Sequence, residues 1–372
     1  MKRLACPAQN ALIGAIAIAL VLAWFYWGKF DGEITGFFRI GSVLPLSPYL
    51  DAAKSKIYSG ELGYDGQQFL TLAFDPALSN PESIAALDSP VYRYRRILYP
   101  LLGYLGGGGQ PALIPYVLVA INAIASVLLV WLVSRYLQAQ NQARLGLLVL
   151  AIPGIWIVLA LSTADVLSSV WVVLALTAYR EKRRWGVAIA LALAGLTRET
   201  TLVVWLALLL ASWRDRRWSQ VPLLFAALLP IVGWNGAVIL RFGDRGTYGA
   251  ASNFGLPLVG PVQKFVALLS NPSAKSGFEA YAFLVLLAAW GAIALAVWRW
   301  PRSRDVVAIA ALLYGLPLAC SSLIILGYYL DYLRVYLDIF GLLLLSATPR
   351  WLKLAPLAAA ALPSLAFLLV HS

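Results

Sequence analysis

The chain has little of what most soluble enzymes rely on. Histidine occurs once, as His371, which leaves no His-based catalytic triad and no His-rich metal site. The two cysteines, Cys6 before the first apolar run and Cys320 in a late one, imply no disulfide framework. Charged residues make up 12% of the sequence, against about 25% in soluble domains. There is no phosphate-cradling P-loop and no Rossmann fingerprint, so cytoplasmic nucleotide use has no support. The glycine run at 106–109, followed by Gln110-Pro111, reads as a flexible break. Alternating segments of about ten residues, the mark of a membrane barrel, are missing as well.

What fills the chain instead is apolar: 61% of its 372 residues are hydrophobic. The apolar material comes in runs of about 17–25 residues, the length that crosses a bilayer core of roughly 30 Å as a helix. The fold class expected is all-α, a polytopic helical membrane protein forming a single transmembrane domain over residues 1–372. About eleven spans are predicted, at residues 11–27, 112–132, 145–161, 166–179, 186–196, 201–213, 221–240, 278–298, 306–326, 332–345 and 354–370. The pair around Thr197 to Thr200 is short enough to form a re-entrant hairpin instead. The first run has a basic start and no small-residue cleavage site, and it reads as an uncleaved signal anchor ending in the aromatic Trp24-Phe25-Tyr26-Trp27.

Residues 29–111 form the most polar stretch, a large first loop. Eight acidic and seven basic residues lie between Lys29 and Arg96. Pieces such as 48–58 and 66–74 look amphipathic and fit short interfacial helices on the membrane surface. Residues 97–105 are too short to span and should lie along or dip into the interface.

Net charge is +12, which in a soluble protein would point to nucleic acid. Here its distribution matters more, because Lys and Arg favour cytoplasmic loops, and no nucleic-acid partner is implied. With the N-terminus cytoplasmic, the inner segments hold 16 basic and three acidic residues, including the clusters at 180–184, 214–217 and 299–304. The remaining 13 basic and 14 acidic residues lie outside or in the outer half of spans. Asp65, Asp75, Arg93, Arg95, Arg96, Asp165, Arg198, Glu199, Arg241, Asp244, Arg245, Asp331 and Arg334 therefore share the extracytoplasmic side. Ionisable groups in spans are costly and usually pair or serve a pathway or site.

Tyr64-Asp65-Gly66-Gln67 puts one carboxylate in a turn, where it could take a proton from a hydroxyl as general base. An Asp-Gly turn in a solvated loop is the plainer reading. Tyr92-Arg93-Tyr94-Arg95-Arg96 either anchors the interface or binds an anionic phosphate, which arginine grips bidentately. Thr197-Arg198-Glu199-Thr200 either neutralises and caps itself, or sets Arg198 on phosphate with Glu199 orienting it or a sugar hydroxyl. Asp331, Arg334 and Asp338, at i, i+3 and i+7, share one helix face as a buried network or part of a site. Ser162, Thr163 and Asp165 read as a helix N-cap.

These residues resemble a known family. A first span, a long extracytoplasmic loop with an acidic residue, and many further spans are the layout of the GT-C superfamily of membrane glycosyltransferases. More narrowly, Tyr64-Asp65-Gly66-Gln67, Asp75-Pro76, Arg93-Tyr94-Arg95-Arg96-Ile97-Leu98-Tyr99-Pro100 and Thr197-Arg198-Glu199 look like bacterial polytopic proteins associated with cell-surface glycopolymer formation. The resemblance implies an inverting hexosyl- or pentosyltransferase of the bacterial cytoplasmic membrane. Its donor would be a polyprenyl-phosphate-linked sugar and its acceptor a glycan, lipid or protein of the envelope. The first-loop acid of that superfamily acts as catalytic base or helps bind a divalent cation, and this carries onto Asp65. Relatives often pair acids as Asp-x-Asp or Glu-x-Asp, whereas here Glu61 and Asp65 stand four apart and would be the ligands of any Mg or Mn. Substrate binding would fall to Glu61, Tyr64, Gln67, Arg93, Arg95, Arg96, Arg198, Glu199, Asp331 and Arg334. Two rivals remain: a transporter or flippase of a lipid-linked sugar, which predicts polar residues on both sides and inverted repeats, and a non-catalytic envelope-assembly protein.

Overall fold

Proline, glycine and charged residues cut the apolar runs into helices of unequal length, and the cuts decide where polar groups gather. The computed structural model describes residues 2–243, 252–270, 272–300 and 305–370. Asp244, Arg245, Arg302, Arg304 and His371 lie outside the described residues.

Helix α1 (Lys2–Ala23) runs on into a π-helical turn (Trp24–Lys29). Next come 3-10 turns at Ile34–Phe38 and Ala52–Lys54 and two short parallel strands, β1 (Ile40–Gly41) and β2 (Ile57–Tyr58). Four helices follow: α2 (Asp65–Phe74), α3 (Pro81–Ala85), α4 (Pro90–Tyr94) and α5 (Leu98–Gly106). The apolar body starts with α6 (Ile114–Gln138), a 3-10 segment (Ala143–Ala151), α7 (Pro153–Leu161), α8 (Asp165–Arg180), α9 (Arg184–Thr197) and α10 (Leu202–Arg214). It continues through α11 (Val221–Ala226), α12 (Leu228–Phe242), α13 (Val259–Ser270), α14 (Ala274–Arg299), α15 (Val306–Leu313) and α16 (Gly315–Cys320). It closes with α17 (Leu323–Leu326), α18 (Tyr329–Val335), α19 (Leu337–Leu345) and α20 (Arg350–Val370). Among the described residues the fold is all-α apart from the strand pair and an isolated bridge between Phe254 and Ser321.

Among the described residues, five helices are long and apolar enough to cross a membrane: Cys6–Lys29, Ile114–Gln138, Trp218–Phe242, Ala274–Arg299 and Arg350–Leu369. A sixth is reached if the 3-10 segment and α7, bent by 56°, count as one span. The other expected spans are short or broken, for visible reasons. Pro153 has no N–H to give and disfavours helix in the residue before it, so the run from 145 to 161 bends there. Helices α9 and α10, of 14 and 13 residues, are each about 20 Å long and are parted by extended Arg198 and a single 3-10 turn. The run from 332 to 345 breaks at Tyr336, between α18 and α19.

The first loop is built into the body more deeply than its polarity implies. Residues 66–74, which look amphipathic in sequence, form α2, and every one of them is buried. Gly66 permits this, because a Cβ there would run into the Leu161 carbonyl and the Phe38 backbone. Residues 48–58 form no single amphipathic helix; Asp51 caps the 3-10 turn by accepting from Ala53 N at 3.0 Å, and the chain then extends into β2. A satellite core of Leu72, Leu78, Val91 and Ile97 packs on Val238 and Phe242 of α12. Trp234 Nε1 donates to the Tyr94 carbonyl at 2.8 Å, and Arg241 donates to the carbonyls of Ala77 and Leu78. The loop is thereby clamped to α12, and Asp65 and Arg93 face helices distant in sequence.

Helix α13 is held by one buried pair. Lys264 Nζ lies 2.8 Å from Glu279 Oε2 of α14 and donates to the Gly327 carbonyl, while Tyr332 of α18 donates to the same carboxylate. The opposite face of α13 leaves Val262, Val266 and Leu269 exposed.

Candidate active site

Polar side chains from five elements meet at the start of α2. Tyr64 is the extended N-cap residue, and Asp65 is the first residue of the helix, where the free N–H groups and the helix dipole favour an anion. Arg93 comes from the last turn of α4 and Arg96 from just beyond it. Arg198 and Glu199 occupy the break between α9 and α10. Asp165 begins α8, and Asp331 and Arg334 sit one turn apart on α18.

Asp65 is gripped from both sides. Arg93 Nη1 donates to its Oδ1 at 2.6 Å and Arg334 Nη1 to its Oδ2 at 2.7 Å. Burial alone would raise the Asp65 carboxyl, but Arg93 and Arg334 outweigh it and hold the group well below the usual carboxylate range. Arg93 also forks onto Asp88 at 2.6 and 2.8 Å. Arg334 reaches Asp165 Oδ2 at 3.2 Å and lies 3.8 Å from Asp331 Oδ1.

A second knot adjoins the first. Arg198 pairs with Asp165, whose carboxylate also accepts from Thr163 Oγ1 at 2.6 Å. Arg96 Nε donates to Glu199 Oε2 at 2.8 Å, and its Nη2 reaches both Glu199 Oε1 and the Tyr92 hydroxyl. The Arg96 guanidinium lies 4.4 Å from the centre of the Tyr92 ring, a cation–π contact. Burial raises the Glu199 carboxyl, but Arg96 prevails and brings it down to about 2. Burial, and to a lesser extent the facing Arg96 and Arg334, push the Arg198 guanidinium below its ordinary value.

Between these knots lies a cavity of about 140 Å³. Arg93, Arg96, Arg198 and Arg334 line its polar wall together with Asp65, Glu199 and Asp331, while Phe254, Ile324 and Ile325 make an apolar wall. Seven of the eleven expected site residues therefore share one cavity. Tyr64 stands just behind: its hydroxyl donates to Asp331 Oδ1, and Arg334 lies 5.0 Å from its ring centre.

Three expected residues are placed elsewhere. Glu61 accepts a bidentate fork from Arg39, 2.9 Å at each oxygen, and does not line the cavity. Gln67 is buried and accepts from Gly41 N at 2.9 Å, which fixes β1 against α2. Arg95 does not line the cavity. With both Glu61 oxygens committed to Arg39, Glu61 and Asp65 do not fit a divalent cation together. Among the described residues no group of three or more His, Cys, Asp or Glu is arranged to hold a metal.

Asp165 does more than start a helix. Its side chain caps nothing and instead joins Arg198 to Arg334. A lone acid inside a long apolar stretch is the signal that points to it. Asp338 leaves the expected stripe, because the break at Tyr336 turns it away to accept from Ser169 and Tyr314. Tyr92 and Asn253 also line the cavity, and aromatic or amide character alone gave no reason to select them.

Fold and site together define a class: an all-α protein with five or six candidate membrane spans among its described residues and a cavity lined by arginines and carboxylates. No protein-family model, no curated protein and no solved structure matches the chain.

Proposed function

We propose that this protein is a GT-C-like glycosyltransferase that moves a sugar from a polyprenyl-phosphate carrier to a cell-envelope acceptor. One observation carries the reading: four guanidiniums from three parts of the chain converge on a cavity that is also lined by Phe254, Ile324 and Ile325. That pairing suits an amphiphile with a phosphate at its head. Arginine is the residue that grips phosphate in a planar fork and stays charged in a buried setting.

In the resting site each arginine is held by a carboxylate, which keeps buried cations from standing alone. A phosphate enters by taking over their N–H groups. Glu199 is the partner most free to yield, since its side chain is 44% exposed while that of Arg96 is 7% exposed. As the bond from sugar to phosphate breaks, negative charge grows on the phosphate oxygen, and preorganised guanidiniums favour that state. Asp65 keeps Arg93 and Arg334 at a fixed spacing. The apolar wall of Phe254, Ile324 and Ile325, and the exposed apolar face of α13 beyond it, suit a prenyl chain.

The site faces the extracytoplasmic side in this reading, with the N-terminus cytoplasmic. Helix α8 supports it: Asp165 opens the helix behind the cavity, paired with its lining Arg198 and Arg334, and at the far end Arg180 donates to the Tyr136 carbonyl at 2.9 Å within the basic, inner-loop cluster. The shorter helices α8, α9, α10, α15–α16 and α18–α19 complete the crossings towards eleven.

Binding tests the ligand class. Purified protein in nanodiscs should bind polyprenyl phosphate at least about tenfold more tightly than polyprenol of equal length, because of its charge-assisted bonds. Equal binding of the two lipids would remove the phosphate from the account.

A further inference from the structure

We propose that Asp331, and not Asp65, is the catalytic base of this reaction, an assignment that rests on the glycosyl-transfer reading. A general base needs an oxygen that the acceptor hydroxyl can reach and a proton affinity that lets it accept. Asp65 lacks both. Its Oδ1 is taken by Arg93 and its Oδ2 by Arg334, each through a short charge-assisted bond.

Asp331 differs in reach. It lines the same cavity, with 26% of its side chain exposed. Its Oδ1 accepts from the Tyr64 hydroxyl and lies 3.8 Å from Arg334, beyond hydrogen-bond range, while its Oδ2 has no hydrogen-bond partner among the described residues. The Tyr64 bond holds the carboxylate by Oδ1 and leaves Oδ2 uncommitted. Two carboxylates of one site thus differ in occupancy, Asp65 held by arginines at both oxygens and Asp331 by a tyrosine at one, which separates an electrostatic anchor from a proton acceptor.

The step balances without a co-reactant. The acceptor oxygen attacks the anomeric carbon, and its proton passes to Asp331 Oδ2. The bond from anomeric carbon to phosphate oxygen breaks, and its electron pair leaves on polyprenyl phosphate, which Arg93, Arg96, Arg198 and Arg334 receive. The new glycosidic bond forms on the opposite face, with inversion.

The experiment compares wild type, Asp331→Asn and Asp331→Ala in nanodiscs, reading polyprenyl phosphate release from polyprenyl-phosphate pentoses and hexoses beside affinity for polyprenyl phosphate. Asp331→Asn should bind the lipid within about threefold of wild type and turn over roughly 10²–10⁴-fold more slowly, the usual worth of a general base. Formate, a small carboxylate able to fill the vacated space, should restore turnover to Asp331→Ala. An Asn variant within tenfold of the wild-type rate, or an Ala variant that formate does not accelerate, overturns the assignment. Should the Asn variant unfold, the formate arm decides alone. Wild type that releases no polyprenyl phosphate from any donor defeats the transfer reading and the base together, whereas an active wild type beside an active Asn variant defeats only the base.

Discussion

Arg334→Ala is expected to destabilise the protein by about 3–5 kcal/mol and to abolish transfer, because breaking a buried ion pair leaves uncompensated charge behind. The side chain is 6% exposed and serves two carboxylates directly, Asp65 at 2.7 Å and Asp165 at 3.2 Å. Without it, Asp165 keeps Arg198 alone and Asp65 keeps Arg93 alone. Unfolding in detergent, followed by tryptophan fluorescence, measures the first effect. Arg334→Lys separates the second from the first. Lysine keeps the charge but reaches two carboxylates and a phosphate as a point, not as a fork, so most of the stability should return while transfer stays at least roughly 10²-fold low. A stable Arg334→Ala protein with wild-type transfer would show that this network is dispensable.

Asp65→Asn is expected to act with the opposite sign on binding. The carboxylate competes with phosphate for Arg93 and Arg334 and, held well below the usual range, stays ionised wherever the protein is handled. Asparagine removes that charge and leaves two guanidiniums free for an anion. Polyprenyl phosphate should bind about tenfold more tightly, since a charge-assisted competitor worth roughly 1.5–3 kcal/mol is lost, and release of this product should slow turnover. Lipid affinity measured on the variant checks the sign, and unchanged or weaker affinity would contradict the anchoring role of Asp65. The same linkage makes the cluster acid-sensitive. A depressed carboxyl contributes stability above its unfolded pKa, and this is lost as pH falls towards the folded value.

Much of the site is legible in the sequence because charge stands out in an apolar chain. Asp65, Arg93, Arg96, Arg198, Glu199, Asp331 and Arg334 are placed on one side by counting basic loops, and the fold brings them to one cavity. What pattern does not supply is the local backbone. Glu61 stands four residues from Asp65 and is expected beside it, but Gly63 takes a positive φ of 86° and turns the chain, so Glu61 meets Arg39 instead. Asp338 falls on the Asp331 and Arg334 face only if one helix is unbroken, and Tyr336 ends it. Hydropathy likewise sees apolar runs but not the bend at Pro153 or the gap at Arg198, which is why eleven expected spans become five or six long enough in themselves. Helix breaks cost backbone hydrogen bonds in lipid and persist where polar groups line a cavity. The break at Arg198 lies at this one.

The central claim is that the arginine cavity transfers sugar from a lipid phosphate. Its most direct test is release of polyprenyl phosphate by the purified wild-type protein, supplied in nanodiscs with polyprenyl-phosphate pentoses and hexoses and an envelope glycan acceptor. Acceptor-dependent release from at least one donor is expected, with the anomeric configuration of the sugar inverted in the product. Tight binding of every donor with no release from any would contradict it and leave a carrier or scaffold in its place.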